Sequence, residues 1–129
     1  MLKQVIDYLQ KCPFFENTII GQDFLGEEDG SVSVQMVACN PVVQQYADGA
    51  TLRQFTFAVL VRLYNGTDAE HYFERVSEWF LQGVPQLKDG RCAQRFEIVK
   101  SSAVQDREYG SVCYEMTWRL LYYQRECER

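Results

Sequence analysis

One histidine, five cysteines and several carboxylates are the residues of this chain that could support chemistry. His71 is the single histidine, and together with a cysteine it could form a nucleophile and base pair. It falls in the first turn of an amphipathic helix between Glu70 and Glu74, which favours a partly exposed helix residue. No spacing to other ligands supports metal binding through it. We therefore expect no catalytic residue and no metal site.

The cysteines are odd in number and form no CxxC pair, a spacing that thiolate metal sites commonly use. We expect reduced thiols of an intracellular protein, several of them buried as small apolar residues. A single disulfide or a contact between subunits is the alternative. The glycines are dispersed, and HExxH and GxSxG motifs are absent, so we expect no cofactor. The cysteines are Cys12, Cys39, Cys92, Cys113 and Cys127.

The carboxylates form two acidic groups. Glu70, Glu74 and Glu78 recur every four residues and predict an acidic ridge along one helix. A second group, Glu27-Glu28-Asp29, lies in a predicted turn that ends at Gly30. A solvated surface explains both groups, and contact with a basic partner surface is the functional alternative.

The elements that position these residues follow from hydrophobic spacing. The pattern predicts a helix over 2–11, ended by Pro13, and a second helix over 68–81 that opens with a capping box from Thr67 to Glu70. It predicts a hairpin of strands 18–25 and 31–39, then strands 53–63, 95–104 and 111–124. The order α-β-β-β-α-β-β indicates one α+β domain over 1–129, with a mostly antiparallel sheet and both helices on one face.

Alternation along the strands predicts which side chains face the helices. In the strand 53–63 the odd-numbered residues from Phe55 to Leu63 share one face, and Phe96 and Ile98 take the inner face of the following strand. The last strand carries apolar or aromatic groups on both faces from Leu120 to Tyr123, more than one covered face needs. We therefore expect Leu121 and Tyr123 to be exposed and to contact another subunit. The facing helical stripe is Tyr72, Phe73, Val76, Trp79 and Phe80.

Composition excludes several classes of protein. The 129 residues suit one domain, and 47% apolar residues are too many for a disordered chain. A net charge of −5 argues against non-specific nucleic-acid binding, which needs a basic face. No stretch reaches the roughly 20 apolar residues of a membrane span. The amphipathic first ten residues do not resemble a signal peptide.

Several segments resemble the tail terminator and minor capsid proteins of long-tailed phages and prophages of Gram-positive hosts. They are the helix ending at Cys12-Pro13, Tyr46-Ala-Asp-Gly49, Arg53-Gln-Phe-Thr-Phe57, Val76-Ser-Glu-Trp-Phe80, Val84-Pro85 and Leu120-Leu-Tyr-Tyr123. The resemblance covers nearly the whole chain and rests mainly on hydrophobic spacing.

The resemblance implies a structural protein and not an enzyme, with no catalytic residue to carry over. Such subunits form a hexameric ring on the head-proximal end of the tail tube, so the expected partners are other copies of the chain, the tail tube protein and the head connector protein. It would assemble in the bacterial host cytoplasm and reside in the virion tail. Alternatives are another neck or head–tail joining component, or a small cytosolic ligand-binding protein or enzyme with a pocket between sheet and helices.

Overall fold

The computed structural model describes residues 1–64, 69–106 and 110–125, the side chains of 102–106 excepted. Within these residues two helices, α1 (Leu2–Gln10) and α2 (Ala69–Gln82), accompany six strands. The predicted turn at Asn65-Gly66, the start of the capping box at Thr67 and the cysteine Cys127 lie outside the described residues. The strands are β1 (Ile20–Gln22), β2 (Ser31–Val37), β3 (Val42–Gln45), β4 (Thr51–Leu63), β5 (Arg91–Asp106) and β6 (Ser111–Gln124).

The strands form one sheet in the order β1-β2-β4-β6-β5, and β3 also pairs with β4. Every pairing is antiparallel except that of β1 with β2. This confirms the predicted α+β class, with both helices packed against one side of a mostly antiparallel sheet. The structure adds the four-residue strand β3 inside the segment that the sequence pattern assigned to a connection.

The predicted hairpin of the first two strands is wrong, because β1 runs parallel to β2 with Ile20 opposite Val32. A parallel pair normally needs a connection of a dozen or more residues. Here β1 has only three residues, so the eight residues from Asp23 to Gly30 are enough to return the chain to its start. Asp23 takes a left-handed conformation with φ of 58°, which turns the chain away from β1.

The helix face of the sheet, meaning the side against which α1 and α2 pack, holds the hydrophobic core. Side chains of β4 and β6 alternate as predicted, and Phe57, Trp118 and Leu120 are fully buried there. Val5 and Leu9 of α1 and the α2 stripe around Phe80 complete the core. The Phe80 ring stacks on Phe96 at 4.4 Å between centroids and meets Trp118 edge-on at 5.1 Å. Aromatic packing therefore fixes α2 on the centre of the sheet.

Strand β5 departs from simple alternation. Phe96 is buried, and Ile98 pairs with the helix-face residue Trp118, as the predicted inner face requires, yet its side chain is 45% exposed. The pairing of β5 with β6 shifts register between Ile98 and Lys100, and a β-bulge of this kind disrupts the alternation of faces beyond Ile98. Strand β5 is also an edge of the sheet, so its side chains have a neighbouring strand on one side only.

Candidate interaction surfaces

The acidic loop, Glu27–Asp29 between β1 and β2, is held rigidly to the end of β4. The buried Arg62 side chain donates from Nε to the Gly26 carbonyl oxygen at 2.8 Å and from Nη1 to Ser111 Oγ at 2.9 Å. The Tyr64 amide donates to Asp29 Oδ1 at 3.1 Å. Hydrogen bonds from a charged donor are among the stronger ones in proteins. The loop is therefore a fixed surface and not a loosely solvated turn.

This fixed loop presents its carboxylates to solvent. Glu27, Glu28 and Asp29 are all exposed, and the Tyr64 hydroxyl donates to the Glu27 backbone carbonyl, which leaves the Glu27 carboxylate outside that bond. Gly30 ends the loop with φ of 83°, and a Cβ there would lie 3.0 Å from the Tyr72 hydroxyl of α2. The acidic loop therefore lies next to the first turns of α2.

The acidic ridge, Glu70, Glu74 and Glu78, is exposed along α2 as predicted. Arg75 Nη1 lies 3.2 Å from Glu78 Oε2, a pair three residues apart whose side chains are both largely exposed. Such a pair contributes at most about 1 kcal/mol to stability. The ridge and the loop are thus available for a partner, although their role in binding one stays a prediction.

The expectation that Leu121 and Tyr123 are exposed is wrong. Leu121 is only 3% exposed, and Tyr123 is half-buried. The Tyr46 ring packs on Tyr123 with centroids 5.8 Å apart, and hydrogen bonding to Tyr123 together with burial raises the pKa of Tyr46. The segment that follows β3 therefore covers this end of β6. A subunit contact through Leu121 and Tyr123 stays a prediction, but neither residue forms the open apolar surface that the sequence indicated.

A polar network that the sequence analysis missed lies on the opposite face, meaning the side of the sheet away from α1 and α2. Arg119 Nε donates to Glu97 Oε1 at 2.8 Å, and its Nη1 donates to Gln54 Oε1 at 3.2 Å. Arg95 Nε donates to Glu97 Oε2 at 2.9 Å. These hydrogen bonds, first from Arg95 and then from Arg119, lower the pKa of Glu97. Only the strand register, which places Glu97 opposite Arg119, brings these residues together.

Cys12 and His71 line one groove of about 500 Å³ together with Arg75 and Trp79. Cys12 is buried, and the exposed His71 ring lies edge-on to Phe14 at 5.1 Å between centroids. The structure records no hydrogen bond between Cys12 and His71. The four cysteines in the described ranges are free thiols. Among the same residues, no group of three or more possible ligands could hold a metal ion.

A second groove, of about 420 Å³, lies between α2 and the sheet. Apolar and aromatic side chains dominate its lining, with carboxylates from Glu70 and Glu115. If the protein were instead a small ligand-binding protein or enzyme, its ligand would bind in this groove. The aromatic and aliphatic part of the lining is Val61, Tyr72, Phe73, Tyr114 and Met116.

No helix within the described part of the chain is long and apolar enough to cross a membrane.

Comparison with known proteins gives a relationship of fold. No protein-family model matches the chain, and no curated protein matches it. A chain in the solved virion of a native gene transfer agent (GTA) particle superimposes with a TM-score of 0.65. This chain shares the fold of that virion component. The match covers 95% of this chain and 94% of the other at 12% sequence identity, so it extends over both chains almost completely.

Proposed function

We propose that the protein is a structural component of a virion. The observation that carries this proposal is the agreement in fold with the virion chain over nearly the full length of both.

Within that class, we propose the role of a tail terminator, a hexameric ring that caps the head-proximal end of the tail tube and joins it to the head. The resemblance to terminator and minor capsid proteins supports this role. Two segments that carry it, Tyr46–Gly49 and Leu120–Tyr123, are distant in sequence but meet in the fold through the Tyr46 and Tyr123 rings. These two resembling segments are therefore neighbours in the fold.

The partners of such a ring would be further copies of the chain, the tail tube protein and the head connector protein. The acidic loop and the acidic ridge are the surfaces that we assign to these partners. Both are exposed, and the acidic loop lies beside Tyr72 of α2. Clustered surface charge of one sign favours a partner surface of the opposite sign and speeds encounter with it. Assembly would take place in the bacterial host cytoplasm, and the finished ring would reside in the virion tail.

The alternative is another neck or head–tail joining component, which the same virion fold would also support. Deleting the gene from the producing genome separates the two roles in electron micrographs. Loss of a terminator leaves tube growth unchecked, so we expect over-long tails without heads. Tails of normal length beside separate, filled heads would instead support the joining role. Unaltered particles would contradict both roles and would favour the ligand pocket beneath α2.

Complementation of the deletion with charge variants tests the acidic surfaces. We expect Glu70→Lys/Glu74→Lys/Glu78→Lys to fold but to lower the yield of joined particles at least tenfold, because like charges would then face the basic partner. An exposed acidic residue elsewhere supplies the control, Asp7→Lys, which should restore normal yield. Equal yields from the two variants would remove the ridge from the partner surface.

A further inference from the structure

The two edges of the sheet expose large apolar side chains. At the β1 edge, Ile19 is 93% exposed and Phe24 is 73% exposed. At the β5 edge, Ile98 is 45% exposed and its neighbour Val99 is 53% exposed. Single exposed apolar residues are common, but here each edge carries two. We name these pairs the β1 patch (Ile19 and Phe24) and the β5 patch (Ile98 and Val99).

The surroundings of the two patches carry opposite charge. Residues 16–29, which include the β1 patch and the acidic loop, hold five acidic residues and no basic one. Residues 88–101, which include the β5 patch, hold four basic and two acidic residues. Lys100 is exposed directly beside Val99. The edges are therefore complementary to each other, and each is poorly complementary to itself.

The patches also lie on opposite sides of the subunit. Strands β1 and β5 are the two ends of the order β1-β2-β4-β6-β5. Four strand spacings separate them, or about 19 Å. A head-to-tail contact needs two different surfaces on one subunit, whereas a two-fold dimer uses one surface twice. The two unlike and complementary edges therefore suit a head-to-tail contact.

We propose that the β1 patch of one copy of this chain docks on the β5 patch of the next copy. This inference rests on the proposed ring and names the surfaces that would build it. Each patch is expected to bind a second copy of this chain, because the charge that complements each edge is found on the other edge of the same chain.

The contact is made by side chains and does not extend the sheet. The Ile20 amide donates to Gln10 Oε1 at 3.1 Å, and Gln10 Nε2 donates to the Thr18 carbonyl at 2.6 Å. The side chain of Gln10 therefore already forms hydrogen bonds with the backbone at the start of the β1 edge. Register shifts between Ala93 and Arg95 and between Ile98 and Lys100 interrupt β5. Bulges and charges of this kind prevent edge-to-edge strand pairing, so the association stops at discrete patches.

Paired variants test the proposal in purified protein. Ile19→Asp/Phe24→Asp disables the β1 patch, and Ile98→Asp/Val99→Asp disables the β5 patch. Analytical ultracentrifugation at about 1 mM chain detects even a weak contact. We expect the wild type to associate, each variant alone to be monomeric, and an equal mixture of the two to form dimers but nothing larger. The mixture retains one intact β1 patch and one intact β5 patch, which allows a single contact.

The matched control is Leu81→Asp, which changes a comparably exposed apolar residue on α2, away from both edges. It should associate like the wild type, and circular dichroism should show native folding for all three variants. A monomeric wild type, a single-patch variant that still associates, or a mixture that stays monomeric would overturn the proposal. If the deletion strain makes over-long headless tails but the mixture of the two variants stays monomeric, the edge contact is rejected and the terminator role stands. If the mixture forms dimers but the deletion strain makes unaltered particles, the edge contact stands and the terminator role is rejected.

Discussion

The two faces of the sheet are built on different principles. The helix face is filled with large apolar side chains that α1 and α2 cover, with Phe57, Phe80 and Trp118 at the centre. The opposite face buries small or hydroxyl-bearing residues such as Thr56, Ala58 and Thr117, and it carries the charged groups that fix the acidic loop and the edge strand. The comparison teaches that the helix face supplies most of the stability, while the opposite face positions the surfaces available to partners.

Phe80→Ala should produce the largest loss of stability. Phe80 is 1% exposed and contacts three other core rings, so its truncation leaves a cavity at the centre of the helix face. We expect the free energy of unfolding to fall by about 3–5 kcal/mol in denaturant titrations. Leu81→Ala, one position further along α2 and exposed, should change it by less than about 0.5 kcal/mol. Similar losses for the two variants would mean that α2 packs with a different stripe.

Leu121→Ala examines whether the opposite face also stabilises the fold through burial. Leu121 is nearly inaccessible on that face, so we expect a loss of about 2–3 kcal/mol by the same titration. A lysine at this position should be worse, since it would bury a charge without a partner. If Leu121→Lys folded with wild-type stability, the side chain would be accessible, and the subunit contact first expected there would regain support.

Arg62→Ala should separate loop positioning from core stability. The change removes charged hydrogen bonds to Gly26 and Ser111, and we expect it to cost about 2 kcal/mol. Amide hydrogen exchange should rise in residues 26–31 and stay unchanged in α1. Protection that falls equally throughout the molecule would show that Arg62 acts on global stability and does not specifically hold the acidic loop.

Two threonines on the opposite face form a matched pair. Thr117 Oγ1 is buried and has no hydrogen-bond partner in the described residues, whereas Thr56 Oγ1 donates to Cys39 Sγ at 3.1 Å. Thr117→Val should therefore stabilise the protein by about 1 kcal/mol, because it removes an unsatisfied buried hydroxyl. Thr56→Val should be neutral or destabilising. The opposite ranking in thermal unfolding would indicate that Thr117 has a partner.

Glu97→Gln should have the smallest effect, and one that depends on pH. Hydrogen bonds from Arg95 and Arg119 lower the folded-state pKa of Glu97, so ionised Glu97 favours the folded state above its unfolded-state pKa of about 4.3. That contribution is lost as pH falls through the folded-state pKa. The group is partly exposed, so we expect at most about 1 kcal/mol between wild type and variant at pH 7, vanishing once the pH lies below the folded-state pKa. A difference that grows on acidification would contradict this assignment.

The helix face could be predicted from sequence because it depends on local periodicity alone. The spacing of Val5 and Leu9, the stripe around Phe80 and the alternation in β4 each reflect one element packing on a common core. The direction of β1 could not be predicted, since a three-residue strand can return through a loop that also suits a hairpin. The partial burial of Tyr123 depends on where the Tyr46 segment packs, which is a long-range contact. Leu121 lies between the paired strands β4 and β5, and this pairing is likewise long-range.

The candidate surfaces show the same division between local and long-range information. The acidic ridge is exposed as its helical spacing predicts, and the acidic turn is exposed as its charge predicts. The anchoring by Arg62 and the network around Glu97 depend on strand register, which a single sequence does not specify. The exposure of Val99 in the β5 patch coincides with the register shift between Ile98 and Lys100, one of two such shifts in β5. Interaction surfaces assembled from different strands therefore required the structure.

Immunoelectron microscopy of purified particles tests the central claim most directly. Antibodies raised against the purified protein should label one site per particle, at the junction between head and tail, and the label should be absent from particles of the deletion strain. Particles that contain none of the protein, or label confined to the head surface or the distal tail tip, would contradict the proposal that this chain caps the tail tube and joins it to the head.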